Sequence, residues 1–191
     1  MMKTCWCAAF VMMMLVPAAR AAAPSLVGQP APTVAIKALD GSDMSVGAAR
    51  GHWLLITFSD VKSKDEGRLF FRTNAPRFAS VDGLVLHNVV VPGGVMLAPK
   101  SAISSRIRSD VGKLEAEVRG GLKPAERAAF ERATIRWHVD FDRKYTVLFG
   151  APPHHVTLVL VDPAGRVTDV SEADGTTVVE RLLSRIRPAR R

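Results

Sequence analysis

The apolar positions along the chain change period several times, and each change marks an element. Trp53 to Phe58 is continuously apolar apart from Thr57, the pattern of a strand buried on both faces of a parallel sheet. A polar turn, Ser59 to Gly67, leads directly into a run carrying Phe70, Phe71 and Phe78 at helical spacing. This strand-to-helix passage is the element around which the rest is arranged. Its turn falls at the carboxyl end of the strand, where open α/β sheets place their chemistry. Pro76 within the helical run predicts a kink or break near Asn74. Leu84 to Val91 is a second strand of the buried type, closed by Pro92-Gly93-Gly94, and His87 lies inside it as a core or strand-end residue.

Upstream, Thr33 to Lys37 and Asp43 to Val46 predict two short strands joined at the turn signal Asp40-Gly41. Downstream, Ile103, Ile107, Val111, Leu114 and Val118 recur at helical spacing until Gly120-Gly121. Pro124 suits the first turn of a further helix carrying Phe130, Ala133 and Ile135. Trp137 to Phe141 then predicts a strand, and Arg143 to Phe149 a short helix ending at Gly150. Thr157 to Asp162 and Arg166 to Val170 form a hairpin around Pro163-Ala164-Gly165. A last helix, opened by a Thr177–Glu180 capping box, buries Val178, Val179, Leu182, Leu183 and Ile186.

The first residues stand outside this pattern. Met1 to Lys3 is a short basic start, Thr4 to Val16 an apolar run, and Pro17 to Ala23 offers small-residue cleavage sites. Residues 1–23 therefore read as a secretory signal peptide, with cleavage after Ala21 or Ala23, and residues 24–191 as one domain exported to the periplasm. Left uncleaved, the segment would act as a membrane anchor. The cysteine count sharpens the consequence, because the only two, Cys5 and Cys7, lie inside the apolar run. The mature domain is then free of cysteine, although its compartment would permit disulfides.

The formal charge of +8 falls to +6 when Lys3 and Arg20 leave with the signal. Basic residues are densest in the tail, at Arg181, Arg185, Arg187, Arg190 and Arg191. A solvated helix face accounts for them, and membrane contact is expected only through this tail or an uncleaved signal. No basic patch interleaved with aromatic residues supports nucleic-acid binding.

Separated pieces of sequence carry a resemblance to a known family. They are Val27-Gly28-Gln29-Pro30-Ala31-Pro32, Leu39-Asp40-Gly41-Ser42 with Val46 and Arg50 to Trp53, the Trp53–Phe78 passage, Val139 to Asp142, and Thr157 to Val167. In order and spacing the chain from Val27 to Ile186 resembles the thioredoxin-like redoxins, which include peroxiredoxins and periplasmic thiol-disulfide proteins. The resemblance implies an α/β fold with a central mixed sheet of four to five strands, flanking helices and an N-terminal hairpin. One helical hairpin, at about residues 100–136, would be an insertion in that scaffold, suited either to partner recognition or to covering the sheet.

The chain departs from the family where the family's chemistry sits. Ser63-Lys64-Asp65-Glu66 occupies the place of the C-x-x-C motif or peroxidatic cysteine. Ser63 and Glu66 read as a capping box, with Asp65 and Glu66 at the favourable end of the helix dipole. As a nucleophile, Ser63 would need a base that the sequence does not place beside it. Val156 occupies the position of the family's cis-proline, and Pro153 lies three residues too early. His154 and His155, in a loop that the fold would turn toward Ser63, are the remaining candidates for catalysis or metal binding. Neighbouring residues of an extended chain point apart, and copper-handling relatives add two cysteines that are absent here. Asp140 and Asp142 could share a strand face, but no third carboxylate follows at ligand spacing. The expectation is a binding or scaffolding module for another periplasmic or envelope protein, without metal or cofactor. The alternative is a thiol oxidoreductase or peroxidase that retains Cys5 or Cys7, or a non-thiol catalyst built on Ser63, His154 and His155.

Overall fold

A computed structural model describes residues 26–33, 35–41, 43–45, 50–93 and 98–186. The expected signal peptide with Cys5 and Cys7, the hairpin residue Val46 and the tail arginines Arg187, Arg190 and Arg191 lie outside the described residues.

The chain runs β1 (Ala35–Lys37), β2 (Asp43–Ser45), β3 (Trp53–Asp60), α1 (Lys64–Ala79), β4 (Leu84–Val91), α2 (Lys100–Gly121), α3 (Pro124–Arg132), β5 (Thr134–Val139), α4 (Lys144–Leu148), β6 (Thr157–Val161), β7 (Val167–Glu172) and α5 (Thr176–Ile186). Five strands form one mixed sheet in the order β5-β4-β3-β6-β7. β3, β4 and β5 run parallel, which their intervening helices allow. β6 lies antiparallel to β3, and β7 antiparallel to β6. β1 and β2 make the expected small hairpin, with Ile36 opposite Met44.

Burial follows from strand alternation. Leu55, Leu84, Leu86, Leu158 and Leu160 face one way, against Phe78 of α1 and the apolar stripe Val178, Val179, Leu182, Leu183 and Ile186 of α5. Leu54, Ile56, Phe58, Val89, Val159 and Val161 face the other way, against Tyr145 and Phe149 around α4 and against Ala31 of the N-terminal lead. The central strand β3 therefore has no solvent face, as its unbroken apolar run requires. A third cluster joins Phe71 and Ala75 of α1 to Leu114 and Val118 of α2 and Phe130 of α3, with Trp137 against them. The α2–α3 hairpin thus packs on α1, and Arg72–Glu117 and Lys64–Asp110 pairs bridge the exposed seam.

Beyond shifts of one to three residues at strand and helix ends, two features differ from the sequence reading. α3 ends at Arg132 and β5 begins at Thr134, so Ile135 belongs to a strand and not to the helix. β-Branched Thr134 and Ile135 find ladder partners in Val85 and Leu86 of β4, which outweighs helical periodicity. Nor does Pro76 break α1, which continues to Ala79. It stands in the last turn, so only three helical residues lie beyond it, and among them Phe78 is held in the core.

Candidate functional site

The passage from β3 to α1 is built around Asp60, the last residue of β3. Its Oδ1 accepts hydrogen bonds from the Lys62 N–H (2.9 Å), the Ser63 N–H (2.9 Å) and the Ser63 hydroxyl (3.1 Å). Its own N–H donates to Ser63 Oγ at 2.9 Å. Asp60 and Ser63 thus close the turn reciprocally. The predicted Ser63–Glu66 capping box does not form: no side-chain bond caps α1 at Ser63, and Glu66 is exposed. An aspartate already fixed at the strand end reaches the Ser63 N–H with a shorter side chain than Glu66 would have to fold back.

The second carboxylate oxygen of Asp60 reaches across to the loop from Gly150 to Val156. Oδ2 accepts from the backbone N–H of His154 at 2.9 Å and from its ring Nδ1 at 3.1 Å. Because an ionised carboxylate only accepts, Nδ1 carries the proton. Nε2 then faces the Lys62 ammonium at 3.5 Å. Burial alone would push the Asp60 carboxyl up, but the hydrogen bonds from Ser63, His154 and Lys62 outweigh it and bring the pKa down to about 2. His154 adopts a left-handed backbone, φ 71°, which an L-residue takes only when its surroundings hold it there.

The arrangement decides what each candidate can do. Ser63 is 2% exposed, and its oxygen is occupied on both sides by Asp60. The imidazole of His154 bonds the far oxygen of the same carboxylate, so aspartate stands between hydroxyl and imidazole. In a serine nucleophile the imidazole must instead take the hydroxyl proton directly. His155 turns to Glu172 on β7, its Nδ1 3.7 Å from Oε2, so the adjacent histidines serve different carboxylates. A cation at His154 Nε2 would have to displace the Lys62 ammonium. Among the described residues no group of three or more His, Cys, Asp or Glu side chains is placed to hold a metal.

Asp140 and Asp142 also part company. Asp140 is buried and accepts from the N–H and the hydroxyl of Thr146 at 3.0 and 2.9 Å, fixing the start of α4. Asp142 is paired with Lys100 at 3.0 Å on the surface.

Asp60 and Lys62 were not among the sequence candidates. Aspartate followed three residues later by serine is the signal, since both side chains favour local turns in which each bonds the other's backbone. Gly67, one turn into α1, sets how closely the helix approaches. A Cβ there would stand 3.0 Å from Ser59 Cβ and 3.7 Å from Val156 Cγ2. Val156 itself is fully buried, and its carbonyl accepts from the Ala173 N–H at 2.8 Å.

No protein-family model matches the chain, and no curated protein does. Solved structures do. The chain is similar to the pneumococcal exposed lipoprotein thioredoxin Etrx1 of Streptococcus pneumoniae, with a TM-score of 0.54 at 15% identity over 81% of this chain and 98% of that one. It is similar to MTB dsbF, with a TM-score of 0.53 at 16% identity over 81% and 95%. A thiol-disulfide oxidoreductase of Bacteroides fragilis gives 0.55 at 13% identity over 82% and 98%. At such identities the likeness is one of backbone, and together with the strand order it establishes that the chain has the thioredoxin-like fold.

Proposed function

We propose that the chain is an exported, redox-inert protein of thioredoxin-like fold that binds another periplasmic or envelope protein through the face made by the β3–α1 turn and the Gly150–Val156 loop. The observation that carries this is the Asp60 clamp. At the helix start where thioredoxin-like enzymes keep a reactive thiol, this chain has a buried hydroxyl with both its sides used. The same carboxylate ties the turn to the facing loop, which makes the face rigid and reduces the ordering cost of docking a partner. Val61, 58% exposed, projects from the turn beside Gly93, and Pro152 and Pro153 of the Gly150–Val156 loop are exposed.

The test uses residues 24–191 exported from a heterologous signal. Disulfide reduction at the uncatalysed rate is expected, together with a single cross-linked adduct from a photoreactive residue at Val61 that Lys62→Glu removes. Turnover above background, or no adduct, overturns the reading. The similar structures are described as thiol-disulfide proteins, and that activity remains the second reading. It requires Cys5 or Cys7 in the working protein, so alkylation and intact mass of the exported full chain separate the two. Loss of the leader with no adduct leaves only the binding module, whereas retained, alkylated Cys5 and Cys7 favour the enzyme.

A further inference from the structure

His87 and His138 come from neighbouring parallel strands and share a face of the sheet, because His87 pairs in register with Arg136, two residues before His138. Their rings stack at 4.9 Å between centroids with a 37° tilt. They are 1% and 0% exposed. Among the described residues, His87 Nε2 and both ring nitrogens of His138 have no hydrogen-bond partner. The Lys37 carbonyl lies on the His138 side and favours its charged form, yet no ring nitrogen reaches hydrogen-bond geometry with it. Buried imidazoles without partners are costly, and a proton on either would place an ion in an apolar layer beside the other ring.

What covers them is thin. β5 is an edge strand of the sheet. The β1–β2 hairpin closes over it through a bridge from Ala38 to His138 and one bond from the Leu39 N–H to the Trp137 carbonyl at 2.7 Å. Two side chains reinforce the seat: Arg108 of α2 donates to the Leu39 carbonyl at 3.0 and 2.6 Å, and Arg136 pairs with Asp40 at 2.8 Å. Among the described residues these contacts, with Ile36 packed against the core on the same face, seat the hairpin on β5, and undocking it would open the His138 side of the pair to water.

We propose that His87 and His138 form an acid-triggered latch, in which protonation of the buried pair releases the β1–β2 hairpin from the β5 edge while the other strands stay paired. The charged groups bearing on the pair are Arg136 on β5, which opposes a proton on either ring, and Asp40 on the hairpin turn, which favours one on His138. β4 and the facing part of β3 carry no charged side chain toward it. Burial, the proximity of the second ring and Arg136 together press His87 down to about 3, and burial also lowers His138. Once undocked, each ring recovers an ordinary affinity for protons. Opening is then favoured about 30-fold at pH 5 relative to pH 7.5 through His87 alone, since an unperturbed imidazole titrates near 6.5, and His138 adds to it in the same direction.

Amide hydrogen exchange with mass spectrometry, corrected for intrinsic rates, tests the latch on the exported chain. Protection over residues 35–45 is expected to fall at least about 30-fold between pH 7.5 and 5, with β3 and β6 unchanged. His87→Phe with His138→Phe should abolish that fall, and His52→Gln at an exposed site should leave it intact. Should the double variant fail to fold, the histidine ring protons of the wild type, followed by NMR, must titrate together with hairpin opening. A fall below about 3-fold, an equal fall in all strands, an unchanged fall in the double variant, or rings that titrate without opening overturns the proposal.

Discussion

Asp60 holds His154 twice, through its backbone N–H at 2.9 Å and its ring Nδ1 at 3.1 Å, across 94 residues of sequence. The same carboxylate also fixes Ser63, so one side chain positions both halves of the face.

Replacing it separates its roles. Its carboxyl is depressed from 3.8 to about 2, and its side chain is only 13% exposed. A lowered pKa means that the unfolded chain binds the proton more readily. The stabilisation is therefore complete above the unfolded value near 4 and is lost as pH falls toward 2. About 2 kcal/mol is involved. Urea unfolding of the wild type and Asp60→Asn should differ by about that amount at pH 7 and converge between pH 4 and 2.

A thiol restored at the helix start should be sluggish. Ser63→Cys would place sulfur in a buried site against a carboxylate, which disfavours the thiolate. With a disulfide reagent at pH 7.5 it should react about 10-fold or more slowly than the exposed Lys62→Cys, and Asp60→Asn in the same chain should recover about 10-fold. Equal rates for the two cysteines would show that the site does not suppress thiol chemistry.

Gly67→Ala tests the seating of α1. In an open helix this change stabilises by about 1 kcal/mol. Here the new Cβ would stand 3.0 Å from Ser59 Cβ, so a destabilisation of about 1–3 kcal/mol is expected by thermal or urea unfolding. The opposite sign would mean that α1 shifts freely on the strand.

Phe130→Ala should loosen the α2–α3 hairpin selectively. Phe130 is buried and meets Phe71 edge-on at 6.3 Å, within the cluster that joins this hairpin to α1. A loss of about 3 kcal/mol is expected, with exchange protection falling across α2 and α3 before β3 and β4.

Much of the fold was legible because burial imposes period. The uninterrupted apolar runs of β3 and β4 announced strands covered on both faces, and the α5 stripe announced a helix on one of them. Thr134 and Ile135 were misplaced because their strand identity depends on Val85 and Leu86, some fifty residues away, and not on local spacing. At the site, Ser63 and His154 were legible as candidates, but not their relationship, since Asp60 competes with Glu66 for the same N–H and only geometry decides between them. The stacking of His87 on His138 was beyond reach for a similar reason. Which residues become diagonal neighbours depends on the register of two parallel strands, and neither run declares it.

The N-terminal lead touches both borders of the sheet. Near Pro30 it bridges Arg166, and the Gly28 and Ala31 N–H groups donate to the Val167 and Gly165 carbonyls at 2.7 and 2.8 Å beside β7. At Ala38 and Leu39 it reaches β5. Its anchors are thus residues synthesised about a hundred positions later or more, as in the Arg166 to Gly28 contact, 138 residues apart. The earliest described segment is therefore among the last that can settle. Until β5 and β7 are in place it has nothing to grip, and both borders remain open to strands of other chains. A first segment without early partners cannot close the domain before the rest of the chain has arrived.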